Sequence, residues 1–520
     1  MLIKGGTVFD GTGAAATRSD VRIEKGVIQE LGNLEPRGDE LVINAEGTYV
    51  TPGFVDILNH SDAYVTLFSN PVQESLLQQG ITTILMGNEG SSLAPLVDGT
   101  FVNSVQKWGD ISTLSVNWLS VSEYLQELKR HAFGINLATL AGHSTVRRGL
   151  IGDESRKLSQ DELRQMEYML KTALREGAFG ISTGFGFTHA RDTSPEEEEL
   201  LMHIAANEQA LYATHLRNED KYFFSTLEKA LALARKLPGV NMELSHLKVT
   251  GKENWGQFED ALALLSDAAL SNVHFDVYPY RTTASVFYQF LPVWVSEGGK
   301  ESILKNLRTQ ETRAQIITEM QQDRHDYANM VVAMGSASMP YFGKAFGEIA
   351  RNQNKSPEDA ALDALLASEN RLIVFTEVMA EENVRAALAH PSGLVTSAGV
   401  GRSMQEAASG QFAHPRYFGA MPRFLGNYVR DEKLLSWEEA IRKITWGPAH
   451  KIGLHKRGKI TQGFAADVVV FDPQTIQEKA TFSNPYQYPT GIKYVIVNGE
   501  IAVDRGEFVG AKNGEVLIRS

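Results

Sequence analysis

The chain has no cysteine in 520 residues. That excludes disulfides, thiolate metal ligands and a cysteine nucleophile at once. It also lacks an excess of positive charge, with 50 Lys and Arg against 63 Asp and Glu and a net charge of −13. Such a balance argues against a surface for nucleic acid or anionic membrane, although a local basic pocket is compatible with it. No apolar run approaches the ~20 residues that a membrane-spanning helix needs. The opening MLIKGGTVFDGTG enters an alternating strand pattern directly and lacks the apolar core of a signal peptide. A cytoplasmic protein without a nucleic-acid or membrane partner is expected. There is no GxxxxGK[ST] loop and no GxGxxG after a first strand, which disfavours phosphate-loop and nucleotide-redox chemistry. Internal repeats beyond a strand–helix alternation and low-complexity segments are absent as well.

What is present is the composition of a folded globular chain, 43% hydrophobic and 22% charged. Its length exceeds one ordinary core and suggests a large domain with an appendage. Short β-type stretches separated by glycines fill 1–52 (LIKGGTVFDG, DVRIEKGVIQEL, LVINAEGTYV), and 447–520 repeats that texture (GKITQGFAADVVVFDP, YVIVNGEIAVDRG). Two β-rich ends bracketing a long middle predict one small β-sandwich assembled from both termini.

The middle, 53–446, alternates apolar β runs with helical patterns. Eight runs qualify as strands: 53–60, 81–87, 135–143, 179–185, 211–217, 240–246, 273–280 and 393–399. Eight parallel strands with helices between them predict a (β/α)8 barrel of the TIM type, with its chemistry at the C-terminal strand ends. One helix reads in detail. Ser159 and Glu162 form a capping box, Leu163, Met166, Leu170 and Leu174 share a face, and Gly177 stops it. The acidic run Ser194-Pro195-Glu196-Glu197-Glu198-Glu199 reads as a cap, a first-turn proline and dipole-complementing acids rather than a catalytic cluster. The stretch before the eighth strand is too long for one helix, and 286–345 reads as an inserted, lid-like subdomain.

Four residues at strand ends draw attention: His60 after the first strand, Glu89 after the second, His215 after the fifth and His246 after the sixth. Each alone has a bland reading as a rim or core residue. Together they lie where barrel strands converge on one mouth. Two histidines and a carboxylate make a catalytic zinc set with one position open, where the pKa of water falls from about 15.7 to about 7.

In order and spacing the chain resembles the amidohydrolase superfamily and, within it, the D-aminoacylase (N-acyl-D-amino-acid deacylase) group. The resemblance runs through IKGGTVFDGTG, TPGFVDILNHSD, QGITTILMGNEGSSLAP, AGHSTVR, GISTGF, ATHLRNE, ELSHLK, DVYPY, HPRYFGAMPRFLGNYVR, TWGPAHKIGL and GKITQGFAADVVVFDP. It implies a zinc-dependent hydrolysis of an N-acyl-D-amino acid, a small carboxylate-bearing substrate. By the same resemblance Glu89, His215 and His246 are the metal ligands, and Lys248 pairs with the substrate carboxylate. Tyr280 and Ser285 match a region of further substrate contacts, and Arg416 sits in a family motif as either a ligand-binding or a bracing residue.

The departures from the resembled pattern are as informative. Where relatives read His-x-His on the first strand, this chain reads Leu58-Asn59-His60. Leucine has no lone pair, so one zinc is expected, with His60 near the reacting water or carbonyl. Ala398 in TSAGV replaces the aspartate that moves the proton to the leaving nitrogen. Such acid–base help is typically worth 10²–10⁴-fold, about 3–5 kcal/mol of barrier. Phe187 stands where relatives often carry a tyrosine. The chain is therefore expected to be slow or inactive as an amidase. Three readings of Ala398 stay open: a base-deleted variant made to trap substrate, a metal- or ligand-binding relative without hydrolysis, or a site rebuilt for acyl transfer or for opening an activated ester or lactone.

Overall fold

The computed structural model describes residues 1–98, 114–237, 239–267, 270–323, 325–335 and 340–520. Its centre is the (β/α)8 barrel. The strands are Phe54–Asp56, Ile81–Met86, Asn136–Thr139 with its continuation Ala141–Gly142, Gly180–Gly184, Leu211–His215, Asn241–Leu244, Val273–Val277 and Gly393–Val395. All neighbours pair in parallel, in the sequential order that ends with the eighth strand beside the seventh. The third strand breaks only at Leu140, whose N–H still donates to the carbonyl of Met86 at 2.9 Å. Closure between the first and eighth strands comes just past their regular ends. Asn59 bridges Gly399 in parallel, and the His60 N–H donates to the Gly399 carbonyl at 2.9 Å.

Alternate residues on these strands point inward and fill the barrel. Val55, Ile57, Leu85, Ala138, Leu211, Ala213 and Leu394 form one buried cluster with Ala449 and Ile452 from the helix Trp446–Ile452. The helices outside follow the expected signals. Ser159 caps Gln160–Arg175 through the expected box with Glu162, and Leu163, Met166, Leu170 and Leu174 are its buried face. Ser194 caps Pro195–Asn207, with proline in the first turn. Not every acid of that run is a solvated end charge, however. Glu197 is fully buried, accepts from Arg147 Nε at 3.0 Å and lies 2.7 Å from His143 Nε2.

Strands from the two chain ends form a single nine-stranded mixed sheet, in which Tyr49–Pro52 pairs with Val468–Phe471. Its own core contains Ile3, Val21, Ile43, Val50, Val468, Val470 and Ile496, drawn from both ends. The sandwich is thus one continuous sheet around that core. A cleft of about 660 Å³ opens between this domain and the foot of the barrel, lined by Lys25, Phe179, Lys456, Arg457 and Arg519 among others. It lies at the opposite end from the catalytic mouth.

Of the expected insertion, 286–345, residues 324 and 336–339 lie outside the described residues. Thr282–Val286 and Val331–Met334 both pair antiparallel with Ile373–Glu377, so the folded unit runs from 282 to 377. Hydrogen bonds tie the insertion to the mouth. Arg191 donates to Ser296 Oγ at 3.3 Å, and His414 Nε2 meets the Thr282 carbonyl at 3.1 Å.

Candidate active site

The cluster forms where the backbone leaves the barrel strands. Glu89, His246 and Ala398 all have left-handed backbone, with φ of 54°, 35° and 43°. Three non-glycine residues in that region within one mouth mark stored strain, which concentrates at functional sites. The loop bearing Glu89 can lie flat on the fourth strand because that strand ends in Gly184. A side chain there would meet the Glu89 carbonyl at 2.3 Å.

At the centre His246 spans two carboxylates. Its Nε2 lies 2.7 Å from Glu89 Oε1 and its Nδ1 lies 3.2 Å from Glu219 Oε1. The His246 N–H donates to Asp276 Oδ1 at 2.8 Å, which fixes the backbone turn. The His215 ring stands edge-on to the His246 ring with 4.7 Å between centroids. His215 Nδ1 is 2.7 Å from the Leu216 carbonyl. That bond assigns the proton to Nδ1 and leaves Nε2 its lone pair. His60 Nε2 stands 3.6 Å from Glu89 Oε1. Lys248 Nζ completes the group, 2.6 Å from Glu219 Oε1 and 2.8 Å from His246 Nδ1.

The electrostatics are those of a place that wants positive charge. Burial opposes ionisation of Glu89, yet the nearby imidazoles of His60 and His246 hold it well below the usual carboxylate range. Glu219 is half-buried, and Lys248 and the histidines hold it down in the same way. Burial and Lys248 work against protonated His246, but Glu219 and Glu89 together raise its pKa to about 10. His60, by contrast, is pushed down to about 4 by burial, and so is neutral.

A divalent ion fits this donor set. The buried carboxylate of Glu89 and the half-buried one of Glu219 flank the His246 imidazole, and nitrogen and oxygen donors of this kind suit zinc. Ligand atoms of His215, Glu219 and His246 lie within 4.8 Å of one another. That grouping contains Glu219, which the sequence reading did not single out, while the expected Glu89 joins through His246. The only sequence signal for Glu219 was an acid four residues after His215 in THLRNED.

The other expected residues fall in different places. Arg416 is buried, with its guanidinium 4.9 Å above the Tyr278 ring and 5.8 Å from that of Tyr417. Its Nε has no hydrogen-bond partner. The Tyr278 hydroxyl, also buried, has none either. His414 sets the arginine in place, since its Nδ1 accepts the Arg416 N–H at 3.0 Å while Nε2 faces Thr282. Tyr280 does not turn its hydroxyl to the cluster. It donates to Glu478, which also accepts from Arg423 at 3.1 Å. Ser285 lies half-buried in the insertion's sheet, in register with Val374. Phe187 is buried with its ring 5.4 Å from His215, an apolar wall in place of a hydroxyl. Leu58 belongs to the main apolar core, and Ala398 is buried with only a methyl group to offer.

Comparison with known proteins places this geometry in context. A model described as the Amidohydrolase family matches residues 41–236 and 406–503. A D-aminoacylase of Alcaligenes xylosoxydans xylosoxydans is 30% identical over 523 residues, covering 100% of this chain and 98% of that protein. A solved D-aminoacylase structure, one concerned with its binuclear metal center and with one-metal activation, superposes with a TM-score of 0.82 at 30% identity, over 100% of this chain and 99% of that one. An N-acyl-D-glutamate deacylase from Bordetella bronchiseptica, solved with zinc and a phosphonate mimic of the tetrahedral intermediate, gives 0.83 at 27% identity, over 100% and 99%.

Proposed function

Because this chain belongs to the amidohydrolase family, we propose that it is a metal-dependent enzyme of the N-acyl-D-amino-acid deacylase type whose proton-transfer step is crippled at position 398. The observation that carries the reading is the convergence of buried Glu89, His215 and His246 beside a buried Arg416 whose Nε lacks a partner. A buried donor left without a partner costs about 1–3 kcal/mol, and a site that keeps one has a use for it.

Glu89, His215 and His246 would hold one zinc ion. When bound, that ion supplies Lewis acidity, polarising an acyl carbonyl and acidifying water. The chain's own residues do the rest. Lys248 and Arg416 receive the substrate carboxylate, the arginine through a planar fork suited to it. Neutral His60 donates a hydrogen bond at the acyl oxygen beside Glu89. The insertion, tied down through Ser296 and Thr282, limits water at the mouth. What is missing is a group to collect the proton from water and pass it to the departing nitrogen. An amine anion is a very poor leaving group, so turnover stalls there.

Ala398 also favours a second reading. A site with this metal set and no base suits a non-hydrolytic metal- or ligand-binding relative, or chemistry on an activated ester or lactone, where the leaving group needs less protonation. Metal analysis of the purified protein tests both, with about one zinc per chain expected. Zinc at 100 times its Kd would stabilise the fold by about 2.7 kcal/mol. A chain that neither contains nor gains zinc, and whose melting temperature zinc leaves unmoved, sinks the metal-site reading. Rates on N-acyl-D-amino acids against activated esters then separate the two.

A further inference from the structure

Glu219 has no part in the scheme above, yet it reaches three of the side chains in it. A single oxygen, Oε1, faces Lys248 Nζ at 2.6 Å, His246 Nδ1 at 3.2 Å and His215 Nε2 at 4.0 Å. The carboxylate is aimed from both sides. Its own loop follows the fifth strand, and the loop after the sixth strand clamps its carbonyl, which accepts from Thr250 N–H at 2.5 Å and from Thr250 Oγ1 at 2.9 Å.

His246 has two ring nitrogens and two carboxylate neighbours. The one at Nε2 is Glu89, on the side where an ion would be held; the one at Nδ1 is Glu219. A histidine that gives one nitrogen to a metal almost always donates its other N–H, commonly to a carboxylate, which fixes its tautomer and raises its basicity. Glu219 Oε1, 3.2 Å from Nδ1, is the acceptor within reach of that proton, with Lys248 Nζ 2.8 Å from the same nitrogen. The same oxygen also steadies the ammonium meant for the substrate carboxylate.

We infer that Glu219 is a positioning residue that couples the metal half of the site to its carboxylate-binding half. This inference rests on the deacylase reading. Two nitrogens 2.8 Å apart compete for one oxygen. A substrate carboxylate that takes up part of the Lys248 ammonium leaves Oε1 freer for His246, and a better-held His246 binds the ion more tightly. Each ligand therefore strengthens the other's binding, as linkage requires.

The test is zinc affinity by chelator competition on the full chain, for wild type, Glu219→Gln and Glu219→Ala. Each is measured alone and with N-acetyl-D-alanine or its neutral carboxamide. Loss of such an outer partner typically costs 10–100-fold in metal affinity. We expect roughly tenfold weaker zinc binding for E219Q and up to about 100-fold for E219A. In wild type the acid, and not the carboxamide, tightens zinc several-fold; in both variants that tightening is lost. E219Q preserves shape and keeps the test meaningful where E219A fails to fold. Wild-type zinc affinity and retained tightening in E219Q overturn the inference while leaving the deacylase reading intact. A loss beyond about 1000-fold in E219Q, well outside the range for an outer partner, makes Glu219 a ligand and also overturns it. A wild type that binds no zinc removes the deacylase reading and this inference with it.

Discussion

Two arcs of the barrel mouth have parted company. Along the fifth and sixth strands the chemistry is dense, with His215, Glu219, His246 and Lys248 within a few ångströms of one another. Along the seam of the first and eighth strands, Leu58 and Ala398 stand where the resemblance leads one to expect reactive side chains, and the backbone there is held by a dense set of buried hydrogen bonds. Buried Asp56 accepts from Thr396 Oγ1 and Ser397 Oγ at 2.5 Å each, from Ser397 N–H at 2.8 Å and from Asn59 Nδ2 at 2.9 Å. Thr396 also bonds the backbone of Leu58 on both sides, at 3.2 and 3.0 Å. The contrast teaches that the geometry of the seam is set by backbone and buried hydrogen bonds, independently of whether the seam carries catalytic groups.

The sharpest way to break the comparison is to give the seam its carboxylate back. Ala398 has φ of 43°, a conformation that aspartate tolerates better than alanine. Ala398→Asp is thus compatible with the existing turn. On N-acyl-D-amino acids it should raise kcat by about 10²–10⁴-fold, the ordinary worth of general acid–base help. An unchanged rate, with zinc bound, would show that the seam has diverged beyond its missing base and would move the reading to the non-hydrolytic alternatives. The next largest effect probes the intact arc. Lys248→Ala should raise KM for carboxylate-bearing substrates roughly 10- to 100-fold, the worth of one hydrogen bond to a charged group, while sparing the neutral carboxamides. Equal losses on both would reject the carboxylate role of Lys248.

The sequence made the dense arc legible because its residues follow barrel strands at their C-terminal ends, where position alone implies a common mouth. His215 and His246 could be read that way, and Ser159 and Ser194 announced their helices through local capping rules. Glu219 could not. It belongs to no strand, and its importance comes from the loop after the sixth strand meeting the loop after the fifth. Of the YPY run the sequence singled out Tyr280 alone and passed over Tyr278. Only the contact between Tyr280 and Glu478, far along the chain, commits one hydroxyl and leaves Tyr278 under Arg416. The strand that closes the insertion's sheet was hidden for the same reason. Its sheet is closed by Ile373–Glu377, and a pairing across some ninety residues leaves no local mark.

A further effect concerns stability beside the seam. Asp62, two residues past His60, is buried and accepts the Gly87 N–H at 2.8 Å, while its Oδ1 has no partner. Burial raises its pKa to about 7, against about 3.9 in an unfolded chain. Between those values the folded protein holds a proton that the unfolded chain has released. Stability therefore falls as pH rises from about 4 to about 7, with a slope of up to about 1.4 kcal/mol per unit, and this contribution levels off above that. Asp62→Asn removes the ionisation but keeps an oxygen for Gly87. Its stability relative to wild type should therefore climb across that window in denaturant titrations at successive pH values. A difference that stays flat from pH 4 to 7 would mean that Asp62 ionises freely, and that the first-strand side of the mouth is wetter than its packing implies.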